Sequence, residues 1–370
     1  MNKFILPLVK DYVDPLQFAY IPRPGSGTTC ALVLAYHKVL EFLDARSGAV
    51  RILSVDFSKA FDKLLHSYLL SVCSDFRFPP FLLNWVVSFL SLRRQRVFTD
   101  GRLSSWSDVS SGIPQGSILG PVLFCLGVNN LSPACSNSVF IKYADDVSIL
   151  HFVRDLSEDN LQSEWDHLVS WSTSVGLLIN YSKCKVMNVI TKKSLRLTLI
   201  TLSSGRSLSE VPFLSFLGVT FQNDMKWNVH FDKVIKKACK RIFILINLRR
   251  SGCPVDLMFH SYSVFIRSIL SYAYPVWCNA PGYLTRKLEA IEGRALRIIG
   301  SPSHFPSLFE VGGKTCFKLM RSIEAYDDHP LRTMFRRRNT CNIVTRCSQR
   351  FTAPFTRTSR FGNSFVKFCG

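Results

Sequence analysis

The stretch Phe140-Ile141-Lys142-Tyr143-Ala144-Asp145-Asp146-Val147-Ser148-Ile149-Leu150 constrains the fold more than any other part of the chain. Two apolar, β-prone runs flank a tight polar centre, the pattern of a hairpin with adjacent aspartates at its turn. Packed into a fold, the two carboxylates come close together, and like charges at that range repel unless something neutralises them. Hard oxygen donors suit a divalent ion such as magnesium. A solvated surface turn is the other reading of an Asp-Asp pair, and a third carboxylate weighs against it. Arg51-Ile52-Leu53-Ser54-Val55-Asp56-Phe57 is a second β-prone run with an aspartate near its end. Its period of two puts Ser54 and Asp56 on one face and Leu53, Val55 and Phe57 on the other. A strand tip carrying Asp56 beside a hairpin carrying Asp145 and Asp146 is a carboxylate cluster suited to two metal ions.

These segments resemble motifs A and C of reverse transcriptases, the second in its Tyr-Ala-Asp-Asp form. Between them, Gly112-Ile113-Pro114-Gln115-Gly116-Ser117-Ile118-Leu119-Gly120-Pro121 resembles motif B of the same family. The likeness is to the polymerases of non-LTR, LINE-type retrotransposons, and it covers roughly residues 15 to 300. It implies an α+β right-hand fold: a palm of small antiparallel sheet plus helices, partial fingers and a helical thumb. Residues 1–50 are then partial fingers and 51–222 the palm with interposed fingers helices. Residues 223–300 are a helical thumb-like region, and 301–370 a basic tail.

The implied activity is two-metal nucleotidyl transfer, extending a DNA primer on an RNA template with deoxynucleoside triphosphates. The resemblance assigns the metal site, for two Mg2+ or Mn2+ ions, to Asp56, Asp145 and Asp146, with the backbone oxygen of Phe57 as a further ligand. Phe61 stands at the family's steric-gate position beneath the incoming sugar; an ordinary core phenylalanine is the alternative. Gln115, Gly116, Tyr143 and Ala144 are expected against the substrate. Gly176-Leu177-Leu178-Ile179-Asn180-Tyr181-Ser182-Lys183 resembles motif D, whose lysine is proposed to protonate the departing pyrophosphate. A lone exposed lysine is the other reading of Lys183. Phe216 to Phe221 resembles motif E, the hairpin that grips the primer end.

A formal charge of +20 points to a polyanionic partner. A membrane is the rival, but the longest apolar run, Phe81 to Leu92, is too short to span one and carries Asn84. The start does not resemble a signal peptide, because Lys10, Asp11 and Asp14 follow only a brief apolar run. The 12 cysteines form no Cys-x-x-Cys pair and read as reduced, buried thiols and not as a zinc site. An intracellular protein follows, with nucleus and cytoplasm undecided.

Helical periodicity predicts helices over 28–43, 58–70, 227–248, 256–274 and 285–299, and one starting near Ser117. Asp155 with Glu158 predicts a helix start, followed by Leu161, Trp165, Leu168 and Trp171 on one face and Gly176 as a cap. The 227–248 helix sets Phe231, Ala238, Ile242 and Leu245 against Lys233, Lys236, Lys237, Lys240 and Arg241, a face that grips a duplex or is merely solvated. Arg93-Arg94-Gln95-Arg96 either touches template phosphates or is solvated. The tail after Asp328 has no acidic residue; with Arg336, Arg337 and Arg338 it is expected to order on nucleic acid.

Two departures bear on activity. The loop Arg23-Pro24-Gly25-Ser26-Gly27-Thr28 lacks the family's second basic residue. The family's basic fingers strands and endonuclease would precede Met1, so the chain alone is expected to use nucleotides poorly while still binding primer and template. Two rival classes follow. One is a catalytically silent, retroelement-derived nucleic-acid-binding protein. The other is a viral-type RNA-directed RNA polymerase, which usually carries Gly-Asp-Asp and no bulky gate, so Ala144 and Phe61 count against it.

Overall fold

The computed structural model describes residues 2–45, 48–192, 195–300, 305–337, 351–352, 356–362 and 364–366. A five-stranded sheet runs in the order Ser209–Glu210, Lys185–Ile190, Ala49–Val55, Asp146–Val153, Ser138–Tyr143. The chain divides into two compact units: residues 1–27, 51–186 and 195–210 form the first, and 28–50, 187–194 and 211–370 the second.

In the first unit the predicted hairpin is present. Ser138–Tyr143 pairs antiparallel with Asp146–Val153, with Tyr143 opposite Asp146 and only Ala144 and Asp145 in the turn. Ala144 has φ 56° and Asp145 has no positive φ, the pattern of a II′ turn, which glycine usually serves. An alanine there carries about 1–2 kcal/mol of strain. The buried Ala144 N–H donates to Gln17 Oε1 at 3.1 Å, and the same oxygen accepts the Ala19 N–H at 3.0 Å. Beside it, Phe18 N–H donates to Lys142 C=O at 2.8 Å and Lys142 N–H to Leu16 C=O at 2.9 Å. Residues 16–18 therefore cover an edge of the hairpin that would otherwise lie open.

Lys142 is fully buried within this apolar strand. Its ammonium lies 2.6 Å from Asp14 Oδ2 and donates to the carbonyls of Leu131 (2.8 Å), Asn129 (3.2 Å) and Val128 (3.3 Å). Those carbonyls follow the helix Gly120–Gly127, whose end favours a cation. Burial pulls the Lys142 pKa down and Asp14 pushes it back. A second buried pair joins Arg51 Nη1 to Asp159 at 2.7 Å, anchoring the Asp56 strand. Around these charges pack Leu53, Val55, Phe57, Phe140, Val147, Ile149, Phe124, Trp165 and Leu168, each worth about 1.5–3 kcal/mol of burial.

In the first unit three helix boundaries differ from the sequence expectation. The 58–70 helix is two pieces, Ala60–Lys63 and His66–Asp75. Leu65 is extended between them because its N–H bonds the Val175 C=O at 3.2 Å and it bridges to Ser111. The helix placed near Ser117 starts at Gly120, whose N–H the Ser117 hydroxyl accepts at 3.1 Å. Asp155 caps only the single 3₁₀ turn Leu156–Glu158, and the long helix begins at Leu161. It ends as expected, at Val175 with Gly176 at φ 83°.

The second unit holds the helix Thr28–Ala45 and the motif E hairpin, Phe213–Phe216 paired with Val219–Gln222. Leu217 and Gly218 both have positive φ, as a I′ turn requires. The helix Asn228–Arg250 follows, then Val255–Tyr262, Gly282–Ile299 and Leu308–Ala325. The single helix expected over 256–274 instead passes into a π-helical stretch, Ser263–Arg267, and stops at Leu270. Tyr36 and Phe221 pack on Trp227 with ring centroids 4.9 and 6.0 Å away, and buried Glu292 accepts the Tyr262 hydroxyl at 2.8 Å. Of the predicted basic tail, Leu308–Ala325 is a folded helix, and Arg336 and Arg337 pair with Phe351 and Thr352. Arg338 lies outside the described residues. Of the nine described cysteines, all free, five are buried and Cys239 is exposed. Among the described residues no helix is long and apolar enough to cross a membrane.

Lys142→Met keeps the length of the side chain but leaves Asp14 and three carbonyls without their cation. Urea denaturation should show a loss of about 3–5 kcal/mol, against no more than about 0.5 kcal/mol for the exposed control Lys192→Met.

Candidate active site

Asp56 directly follows the strand Ala49–Val55, whose sheet neighbour begins with Asp146. Its main chain is pinned on both sides: its C=O accepts the Asn180 N–H at 2.8 Å, and its N–H points at Cys184 Sγ at 3.5 Å. The Asn180 bond makes Phe57 and Ile179 a non-hydrogen-bonded pair, so the Phe57 carbonyl stays out of that two-stranded ladder. Lys183 Nζ lies 3.6 Å from Asp56 Oδ2, which brings the motif D lysine onto the motif A carboxylate.

At the hairpin, Asp145 occupies the second turn position and Asp146 starts the returning strand. Asp146 remains exposed, yet partial desolvation of its carboxyl, followed by the charges of Asp145 and Asp56, holds its pKa above the usual carboxylate value. Three carboxylates from two strand ends therefore feel one another. No group of three or more His, Cys, Asp or Glu among the described residues is gathered tightly enough to hold a metal as it stands. The donor chemistry nonetheless fits a hard divalent cation: anionic oxygens in mutual repulsion beside a backbone carbonyl free of its ladder.

Motif B is tied to the residues after motif A. Ile113 N–H donates to the Phe61 C=O at 2.6 Å, Gly112 N–H to the Leu64 C=O at 2.8 Å, and His66 Nε2 contacts the Gly112 oxygen at 2.7 Å. Gly112 has φ 81°, and a Cβ there would stand 2.6 Å from the Asp62 backbone, so no larger residue fits. Phe61 is half-buried and stacks on Phe124 with ring centroids 4.2 Å apart. Gln115 and Gly116 are exposed, but Gln115 Nε2 already donates to Asp62 Oδ1 at 2.9 Å. Tyr143 is half-buried, whereas Ala144, expected against the substrate, is buried and contributes its turn conformation.

The five basic residues lie on the helix Asn228–Arg250 in the second unit. Lys233 donates to Thr220 Oγ1 at 3.1 Å, and its ammonium lies 4.9 Å from the centre of the Phe213 ring. Arg241 lies over the Phe265 ring at 6.0 Å. Lys236, Lys237 and Lys240 are exposed and pair with no carboxylate among the described residues.

Sequence reasoning missed the supporting roles of Lys142, Asp62 and Asn180, which hold the site residues in place. Only Lys142 carried a local signal, a lysine inside an otherwise apolar strand, since buried lysines need partners.

Because the Asp146 pKa is raised in the folded protein, its ionised form costs stability. The cost is absent below the unfolded carboxylate range, about pH 4, and grows as pH rises through the folded value. Asp146→Asn should therefore melt above the unmodified protein at pH 7, with the gain vanishing towards pH 4. Added Mg2+ should raise the melting temperature of the unmodified protein more than that of the variant; calorimetry reads both.

Residues 1–221 match the family model described as reverse transcriptase (RNA-dependent DNA polymerase). The chain is 26% identical over 306 residues to the RNA-directed DNA polymerase from mobile element jockey of Drosophila melanogaster, covering 78% of this chain and 32% of that protein. It is 34% identical over 259 residues to the 115 kDa protein in type-1 retrotransposable element R1DM of the same fly, covering 66% of this chain and 24% of that one. The chain thus spans about a third and about a quarter of these two relatives. A solved structure of apo telomerase from Candida tropicalis overlaps 88% of this chain and 54% of its own at 12% identity, with a TM-score of 0.46, too loose a likeness to argue from. The match over residues 1–221, with motifs A to D laced together in one unit, means that this chain belongs to the reverse transcriptase (RNA-dependent DNA polymerase) family.

Proposed function

We propose that the chain is the polymerase portion of a non-LTR retrotransposon reverse transcriptase, an RNA-directed DNA polymerase that extends a DNA primer on an RNA template. The observation that supports this most directly is the meeting of Asp56, Asp145 and Asp146 at neighbouring strand ends, with Lys183 beside Asp56.

Asp56, Asp145 and the Phe57 carbonyl would hold divalent ions, Mg2+ or Mn2+, with Asp146 supporting them. Bound there, such ions supply charge neutralisation at the attacking and leaving oxygens. The remaining work falls to the chain's own groups, and it is mostly positioning. Lys183, two-thirds exposed and tethered to Asp56, is placed to hand a proton to the departing pyrophosphate. The Phe61 ring, held flat by Phe124, excludes a 2′-hydroxyl from the sugar pocket. The motif B loop, fastened to residues 61–66, offers Gln115, Gly116 and its backbone to the substrate. In this reading residues 51–222 serve as the palm and 223–300 as a thumb. The exposed Lys236, Lys237 and Lys240 there offer cations to duplex phosphates, joined by Lys233 and Arg241.

Two substitutions test the assignment. Asp145→Asn removes ligand charge but little bulk, so primer extension should fall by about a thousandfold or more, while binding of a primer–template hybrid, read by filter retention, stays nearly unchanged. Extension at the unmodified rate would sink the metal site. Phe61→Ala should raise the efficiency of ribonucleotide relative to deoxyribonucleotide incorporation by about ten- to hundredfold. An unchanged ratio would make Phe61 a core residue.

A further inference from the structure

The segment Arg93–Val109 builds a two-tier β-ribbon in the first unit that no other part of the function uses. Arg93–Gln95 pairs antiparallel with Ser107–Val109, and Phe98–Thr99 with Arg102–Leu103. The register changes between the tiers. The lower one sets Arg94 opposite Asp108 and, by extension, Arg96 opposite Trp106. The upper one sets Phe98 opposite Leu103, and Ser104 N–H donates to the Val97 C=O at 2.9 Å. Ser105 is therefore the extra residue of a bulge in the returning arm. Arg96 and Val97 join the two tiers without belonging to either ladder, and both Arg94 and Arg96 lie over the Trp106 ring, which groups these three side chains. Asp108 stands opposite Arg94 in the lower tier and Leu103 opposite Phe98 in the upper one.

This ribbon is unusual in both its apolar and its basic residues. Phe98 is 68% exposed, Leu103 52% and Trp106 50%; Val97 is open as well, and so is Leu92 just before the ribbon. Single exposed apolar residues are ordinary, but five between Leu92 and Trp106 mark an interaction surface. The Arg96 guanidinium lies 4.5 Å from the Trp106 ring centre and that of Arg94 5.6 Å. Between Leu92 and Val109 four arginines stand against two aspartates. The one ion pair there, Arg94 with Asp108 at 3.3 Å, is exposed on both sides and yields readily to a phosphate. No carboxylate among the described residues pairs with Arg93, Arg96 or Arg102.

We propose that this ribbon is a stacking platform for single-stranded nucleic acid, with bases laid on Trp106 and Phe98 and phosphates met by Arg94 and Arg96. Open aromatic rings interleaved with arginines suit a strand whose bases are unpaired, because every base offers a π-face and every nucleotide a negative charge. A duplex hides its base faces and cannot use the rings. A protein partner would use the apolar residues but would leave the arginine–tryptophan stack without an anion. The proposed function enters only in naming RNA as the natural strand; the surface itself does not depend on the catalytic carboxylates.

The test uses the full chain and three fluorescent probes in anisotropy titrations: an oligouridine of about twelve nucleotides, an abasic strand of equal length, and a blunt RNA–DNA duplex. Trp106→Ala and Phe98→Ala should each weaken oligouridine binding by about ten- to hundredfold. The abasic strand and the duplex should be unaffected, and Trp106→Phe should restore binding. Arg94→Gln and Arg96→Gln should each lower the slope of log affinity against log salt by about 0.7. Because these side chains are exposed, melting temperatures should not change, which separates lost stacking from lost folding. Oligouridine binding unchanged in both alanine variants overturns the proposal, as does an equal loss on the abasic strand. Primer extension by the unmodified chain is scored separately. Base-dependent binding without extension would uphold the ribbon and sink the polymerase, and extension with no base dependence would do the reverse.

Discussion

The ammonium of Lys142 is the contact on which the rest of the first unit depends. A charge with no exposed surface must find compensation inside the fold, and it finds four oxygens: Asp14 and the carbonyls of Val128, Asn129 and Leu131. One side chain thereby joins the hairpin strand, the end of the motif B helix and the segment before Gln17. None of these elements can slide without uncovering the charge. A hydrophobic residue at this position could pack as well, but it would not select one register for the strand three residues before Asp145.

Built on that anchored strand, the turn is held in a conformation that alanine does not favour. Ala144 at φ 56° is retained because Gln17 accepts its N–H and residues 16–18 pair alongside. The result is a turn of two residues, which places Asp145 at the tip and Asp146 at the first position of the returning strand. The carboxylates are then crowded with one another and with Asp56, an arrangement that costs stability in the free protein. Strain and like-charge repulsion of this kind concentrate at functional sites, where the surrounding fold overrides local preference. Lys183 offsets part of the charge at Asp56, and a divalent cation would offset more.

Motif B works through its backbone. The loop is fastened at Phe61, Leu64 and His66, and Gly112 passes so close to Asp62 that a side chain has no room. The Phe61–Phe124 stack also ties the residues after motif A to the helix that follows the motif B loop. The proposed gate and the proposed substrate loop are thus one packed piece, and a change in either moves the other.

Much of this was legible in the sequence because it is local. Alternating apolar residues specified the hairpin and the Asp56 strand, and a 3.6-residue period specified the helices beginning near Leu161 and Asn228. The order of three aspartates and a glycine-rich loop specified the family. What stayed hidden depends on pairing across long separations, which no period records. Leu65 breaks an apparently continuous helix because Val175 and Ser111 claim its backbone, more than 40 residues away in sequence. Gln17 and Ala144 are 127 residues apart, and Gln115 and Asp62 are 53. The sequence alone determined which residues carry charge, aromatic surface and turn propensity, because those are properties of single side chains and their near neighbours. Only the tertiary structure decided which of them meet, because burying a polar group forces it to find a partner wherever the packed chain supplies one.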